Sequence, residues 1–199
     1  MRLLFWSIQL QRAQDGLFWN EKPGAYFTTS GRDKSIFLRT REAYDSVEPS
    51  PNSVAAMNLL RLWQITNQQI YNDRAHKTLN AFGRGLEQTP EAMPYMMSAL
   101  DFSLAKHRQI VIAGAPGAED TRALLRLVWQ RYLPNRVLLL ADGAEGQKQL
   151  ARWVPSLATV TRKQGRATAY ICENYVCNLP TADPPTVAHL LDGSRVPRK

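Results

Sequence analysis

Apolar and polar positions alternate most clearly between residues 51 and 66, where Val54, Met57, Leu59, Leu60, Leu62 and Trp63 fall on one side of a 3.6-residue repeat. Ser50 stands just before this repeat and Pro51 at its first position, where a missing N–H costs nothing, so the pattern predicts a helix capped by Ser50. Such a stripe has to be buried against other helices. Upstream, residues 1 to 14 are compatible with a helix, and GLFWNEKPGAYFTT reads as two short aromatic-rich strands around a Glu-Lys-Pro-Gly turn. Ser35 to Arg39 is expected to add a third strand. Trp19 and Tyr26 on this hairpin offer rings that could stack on a sugar, although aromatic pairs across a hairpin more often serve packing.

Downstream, Tyr71, Ala75, Leu79, Phe82 and Leu86 predict a second helix ending near Gly83 to Gly85 or just beyond. Thr89 and Pro90 then predict the cap and first turn of a third, with Met93, Met97, Leu100 and Leu104 on its buried face. The period changes at Gln109. QIVIAGAPGAEDTRALLRLVWQRYLPNRVLLLAD reads as strand, glycine turn, helix and strand, a βαβ unit whose natural form is a parallel pair. A third strand is expected over Ala167 to Cys172 and a last helix around Thr186 to Leu191.

The glycine turn at Gly114 to Gly117 lacks both G-x-G-x-x-G and a Gly-Lys-Ser/Thr ending. Glu119 and Asp120 also fall where a phosphate would meet the helix start, so nucleotide binding there is not expected. The net charge is +8 and the pI about 9.8, yet Lys and Arg are interspersed with acids except at Arg195, Arg198 and Lys199, so no nucleic-acid surface is expected. No run reaches the roughly twenty apolar residues of a membrane span. The opening MRLLFWSI is too short in its apolar run for a signal peptide. Cys172 and Cys177, with four residues between them, do not form a C-x-x-C pair. Buried thiols are the favoured reading, with a disulfide or a reactive pair as the alternative, and a reducing, cytoplasmic setting is the default. His76, His107 and His189 lie far apart and read as surface or capping residues, so neither a metal nor a cofactor is expected.

The polar loop leading into the helix at 51 holds Asp45, Glu48, Asn52 and Ser53. Two nearby carboxylates can divide acid and base roles when their surroundings differ, while an amide and a hydroxyl can orient a polar substrate. As an isolated motif, the same residues are more often the ordinary furniture of a helix start, where acids favour the positive end of the dipole.

QDGLFWNEKPGAYFTT, EAYDSVEPSPNSVAAMNLLRL, IVIAGAPGAEDTRALL, LPNRVLLLADG and ATAYICENYVCNLPTADP resemble, in this order, the C-terminal third of the spermatogenesis-associated protein 20 family of thioredoxin-domain-containing proteins. The resemblance runs from about Gln14 to Leu191. It implies an α+β fold, with part of an α/α toroid similar to six-hairpin glycosidases over residues 1–107, carrying the β-hairpin. A small α/β segment over 108–192 and a basic tail over 193–199 follow. The family's thioredoxin-like domain and most of its toroid have no counterpart here, so the chain is expected to be a fragment or partial gene product. The loop matches the family's D-G-x-E-P-S-x-N-S pattern at Asp45, Glu48, Pro49, Ser50, Asn52 and Ser53, with Ser46 in place of Gly.

Two functions follow as expectations. In the first, a glycosidase- or epimerase-like activity uses Asp45 and Glu48 as catalytic groups, with Asn52, Ser53, Trp19 and Tyr26 binding carbohydrate. In the second, the chain is a noncatalytic interaction or scaffold module. Because few helices of a ring are present, apolar surface should be left bare, and a homodimer or association with the missing N-terminal part would cover it.

Overall fold

The computed structural model describes residues 2–174 and 176–193, and for Arg2 the backbone alone. It is a mixed α and β chain in two compact units, Met1–Ala105 and Lys106–Lys199.

The first unit is mainly helical. Helix α1 (Arg2–Phe18) leads into a two-stranded antiparallel ribbon of β1 (Trp19–Asn20) and β2 (Ala25–Tyr26). The turn between them holds a cis Lys22–Pro23 bond and Gly24 at φ +94. A Cβ on Gly24 would lie 2.7 Å from that of Lys77, so both the backbone and the neighbour require glycine. Helix α2 (Pro51–Thr66) is the centre of this unit and packs against α3 (Gln69–Ala81), α5 (Pro94–Leu104) and β2. Its Ala55, Ala56, Leu59 and Leu60 are fully enclosed. The small α4 (Gly83–Gln88) and a 3-10 turn at Pro90–Ala92 join α3 to α5.

Several expectations for this unit change in the structure. Ser35 to Arg39 is not a strand. The Arg39 guanidinium instead folds back over the Phe27 ring at 3.9 Å and donates to the Thr29 carbonyl, and a loop is held to the ribbon that way. The second helix breaks at Phe82, ahead of Gly83, and restarts as α4. Thr89 makes no side-chain cap, because Pro90 opens a 3-10 turn and the third helix begins only at Pro94. That delay rotates its buried face to Met93, Met96, Ala99 and Phe102, and leaves Met97 and Leu104 exposed.

The second unit is a four-stranded sheet in the order β4-β3-β5-β6. Strands β3 (Arg108–Ala113) and β4 (Arg136–Ala141) are parallel and joined through α6 (Glu119–Trp129), the expected βαβ unit. Strand β5 (Thr168–Glu173) runs antiparallel on the other side of β3, and β6 (Val176–Cys177) antiparallel on β5. The core joins Ile110, Ile112, Ala169 and Ile171 of the sheet to Leu124 and Val128 of α6 and to Val187, Leu190 and Leu191 of α8 (Pro184–Leu191). The short α7 (Glu145–Ala151) follows β4 and packs on a 3-10 stretch at Pro155–Thr159.

Gly114 ends β3 because a Cβ there would come within 2.2 Å of the Thr121 hydroxyl, so the turn serves a close approach of α6. Cys172 and Cys177 are joined in a disulfide rather than left as thiols. They are direct partners in the β5–β6 register, which puts both side chains on one face of the ladder. Of the basic tail, Arg195, Arg198 and Lys199 lie outside the described residues.

Candidate functional site

Ser50 takes the extended backbone of a helix cap (φ −64, ψ 153), and its Oγ accepts the Ser53 amide at 3.1 Å. The Ser50 and Ser53 hydroxyls also bond each other at 2.8 Å. Asp45 then serves two helices at once. One carboxylate oxygen accepts the Ser50 amide at 2.7 Å, beside the start of α2, and the other accepts the Tyr95 amide at 2.7 Å, in the first turn of α5. The Asp45 amide itself donates to the Ala92 carbonyl at 2.9 Å. A negative group accepting amides at helix N-termini gains from both charge-assisted bonding and the dipole.

Asn52 is completely enclosed. Its side-chain oxygen accepts the Tyr26 amide at 2.8 Å, while its nitrogen donates to the Tyr26 carbonyl at 2.9 Å and to the Glu42 carbonyl at 2.8 Å. One amide thus pairs with the backbone of β2 as a neighbouring strand would, and fastens the ribbon to α2. An amide can make at most four such bonds, and three are used here.

The two aromatic residues expected to bind sugar do meet. The Trp19 and Tyr26 rings pack edge to face at 5.0 Å. Trp19 is half-buried, donates to a Glu21 carboxylate oxygen at 2.7 Å, and has the Arg74 guanidinium over its ring at 5.3 Å. Tyr26 is buried. Its phenol donates to Asp15 at 2.6 Å and accepts from the Gln11 amide at 3.1 Å. Burial, reinforced by the Asp15 carboxylate, pushes the phenol well above the usual tyrosine range. Asp15 also pairs with Arg74 and accepts from Gln11 at 2.9 Å.

The structure therefore sorts the six residues singled out from sequence into three roles. Asp45 and Ser53 tie helix starts, Asn52, Trp19 and Tyr26 tie the ribbon, and Glu48 is exposed with no side-chain partner among the described residues. The polar atoms of Asn52 and Ser53 are turned into the protein, whereas Glu48 is exposed. Gln11, Asp15 and Arg74 complete the network and were not singled out beforehand. Apart from the Gln11–Asp15 pair on α1, their partners come from distant parts of the chain, and only the presence of a Gln at a buried helical position hints at them. Among the described residues, no group of three or more His, Cys, Asp or Glu side chains comes together as metal ligands, and no helix is long and apolar enough to cross a membrane.

A second feature lies on the opposite side of the ledger from these buried polar groups. Helix α1 docks through Ile8 and Gln11 but turns Leu3, Trp6 and Leu10 outward, at 75%, 59% and 68% exposure. Their spacing of three and four residues makes one stripe. Beside it runs a groove of about 770 Å³ between α1 and α2, walled by Leu3, Leu10, Leu17, Leu62 and Ile65.

No protein-family model matches the chain. Spermatogenesis-associated protein 20 from human, rat and mouse is 41% identical in each case over 189 residues, which is 94% of this chain and 24% of the relative. An uncharacterised protein of Caenorhabditis elegans is 28% identical over 177 residues, 87% of this chain and 23% of that protein. The chain spans about a quarter of the length of these relatives, and in the mammalian proteins the matched part is C-terminal. On this similarity the chain belongs to the spermatogenesis-associated protein 20 family and corresponds to a C-terminal part of its longer members.

Proposed function

We propose that the helical unit is a noncatalytic interaction module which docks, through α1, onto helices formed by the rest of a longer family protein. The observation that carries this reading is the outward stripe of Leu3, Trp6 and Leu10 beside the groove that Leu62 and Ile65 help to wall. Each such side chain gains about 1.5–3 kcal/mol on full burial, and a contiguous apolar stripe of this kind marks an interface. Spacings of three and seven residues on one helix suit a helical partner, whose side chains interdigitate along that line. The relatives supply the length from which such a partner would come, and in the α/α toroid that the family resemblance implies, neighbouring helices would lie side by side.

The test is to mix the purified chain with the preceding helical region of a longer family member and to measure mass by light scattering after gel filtration. A one-to-one complex is expected, lost in Trp6→Glu and Leu10→Glu variants that melt like the wild type. A chain that stays monomeric in the mixture refutes the reading, and a homodimer lost in the same variants assigns the face to a second copy.

A carbohydrate-acting reading has one observation in its favour, the exposed Glu48 carboxylate. The test of this reading is a thermal-shift screen with mono- and disaccharides: a shift that disappears in Glu48→Gln would support it, and no shift would refute it.

A further inference from the structure

The α/β unit contains a cavity of about 690 Å³ that none of the residues discussed above uses. Its floor includes Ala113 and Ala141, the last residues of β3 and β4 and direct partners in the parallel register. The cavity therefore opens at the carboxyl ends of the two parallel strands. In open α/β sheets ligands bind outside the carboxyl ends of the strands. The volume falls within the range of pockets that enclose small organic molecules.

The cavity lining is largely apolar and includes Ala151, Ala158 and Val160. Gln147 holds them in place. It is buried, its side-chain oxygen accepts the Gly143 amide at 2.9 Å, and its nitrogen donates to the carbonyls of Leu157 at 2.6 Å and Val160 at 2.7 Å. One amide thereby joins the loop after β4, the 3-10 stretch and Val160 just beyond it, so the cavity is preorganised rather than left to the ligand to shape.

Charge at the cavity has one sign. Among the described residues Lys148 and Arg162 line it, and no acidic side chain does. Among the described residues neither cation forms an ion pair, although Arg162 feels the field of Asp120. Asp120 is itself committed, accepting the Ala167 amide at 2.7 Å and the Thr121 amide at 2.8 Å.

We infer that this cavity is a binding site for a small organic anion, an apolar body seated against Ala151, Ala158 and Val160 with its carboxylate or phosphate between Lys148 and Arg162. The apolar walls supply contact area and the two cations fix orientation, the usual division of labour in a small-molecule pocket. The site is independent of the α1 face and stands or falls without it.

The inference is tested by titrating the ¹⁵N-labelled full chain with 1-naphthyl phosphate, 1-naphthoate and inorganic phosphate, following amide shifts by NMR. Saturable shifts are expected at Ala113, Gly143, Lys148 and Arg162 with at least one aromatic anion, and the preferred head group distinguishes a phosphate from a carboxylate ligand. The Lys148→Glu/Arg162→Glu double variant should weaken binding by about tenfold or more, since two favourable charge contacts become repulsive. Both side chains are exposed, so the fold should survive the change. Ala151→Leu, which fills the cavity without altering charge, should weaken the aromatic anions but not inorganic phosphate. Absence of saturable shifts at these amides, equal affinity in the double variant, shifts confined to the α1 groove, or inorganic phosphate binding as tightly as the aromatic anions would each overturn it.

Discussion

The backbone amide of Tyr95 donates a 2.7 Å hydrogen bond to the Asp45 carboxylate, whose other oxygen accepts the amide of Ser50. One side chain in an irregular loop thus joins the first turns of α2 and α5, two helices that pack on each other. Replacing Asp45 by Ala should remove both bonds and cost about 2 kcal/mol, the scale of lost caps and charge-assisted bonds. Glu48→Gln, three residues on, should change stability by less than about 0.5 kcal/mol because its side chain touches nothing that holds the fold. Urea denaturation of the two variants separates these outcomes, and equal midpoints would remove the case for Asp45 as a double cap.

Asn52→Ala should be more damaging than its size implies. It leaves the Tyr26 amide and carbonyl without partners in a buried place, and frees the Glu42 carbonyl as well. The expected cost is about 3 kcal/mol, from desolvated groups rather than lost contact. Hydrogen exchange at the Tyr26 amide provides a direct check, since protection there should fall by more than at amides in the middle of α2.

The Cys172–Cys177 disulfide predicts a mass two hydrogens below that of the reduced chain and no reaction with a thiol reagent under native, oxidising conditions. The loop it closes is short, with a sequence separation of 5, so reduction should cost about 2 kcal/mol at most on the chain-entropy account. A free-thiol titration of the unreduced chain that finds two thiols would contradict the pairing.

Asp120 gives stability a pH dependence. The Ala167 amide holds this carboxyl below its ordinary value; desolvation opposes it, and the Thr121 amide and hydroxyl and the Arg162 charge add to the lowering. A depressed folded value means the unfolded chain binds the proton first, so the contribution is complete above about pH 4–5 and drains away as pH falls through the folded value. The gap in urea midpoint between wild type and Asp120→Ala should therefore be present at pH 7 and shrink towards pH 3. A gap that is constant across this range would assign the effect to packing.

Much of the scaffold was legible along the chain where a local rule acts alone. The start of α2 follows from Ser50 and Pro51, and the βαβ unit from the change of period at Gln109. The misreadings arise where a local signal competes with a distant partner. Thr89 and Pro90 look like a helix start, yet the chain spends three residues in a 3-10 turn there, and its Ala92 carbonyl is taken by the Asp45 amide. Ile36, Phe37 and Leu38 look like a strand, but no neighbouring strand receives them, and they remain exposed. The loop at 45 to 53 shows the same limit at the level of chemistry. Residue types suited to acid–base work are also those suited to capping, and only the positions of the Tyr95 and Tyr26 amides reveal how Asp45 and Asn52 are used.

Strand β3 lies between one parallel and one antiparallel neighbour, and the two arrive at very different distances along the chain. Its parallel partner follows directly after α6, whereas Thr168 to Glu173 returns only after α7 and the 3-10 stretch. Loop closure makes the nearer pairing the earlier one during folding. Until the later strand docks, the Ile110 and Ile112 strand presents an open row of backbone donors and acceptors beside apolar side chains. A polypeptide stopped between Ala141 and Thr168 would keep that row bare permanently, and would be expected to polymerise through strand addition.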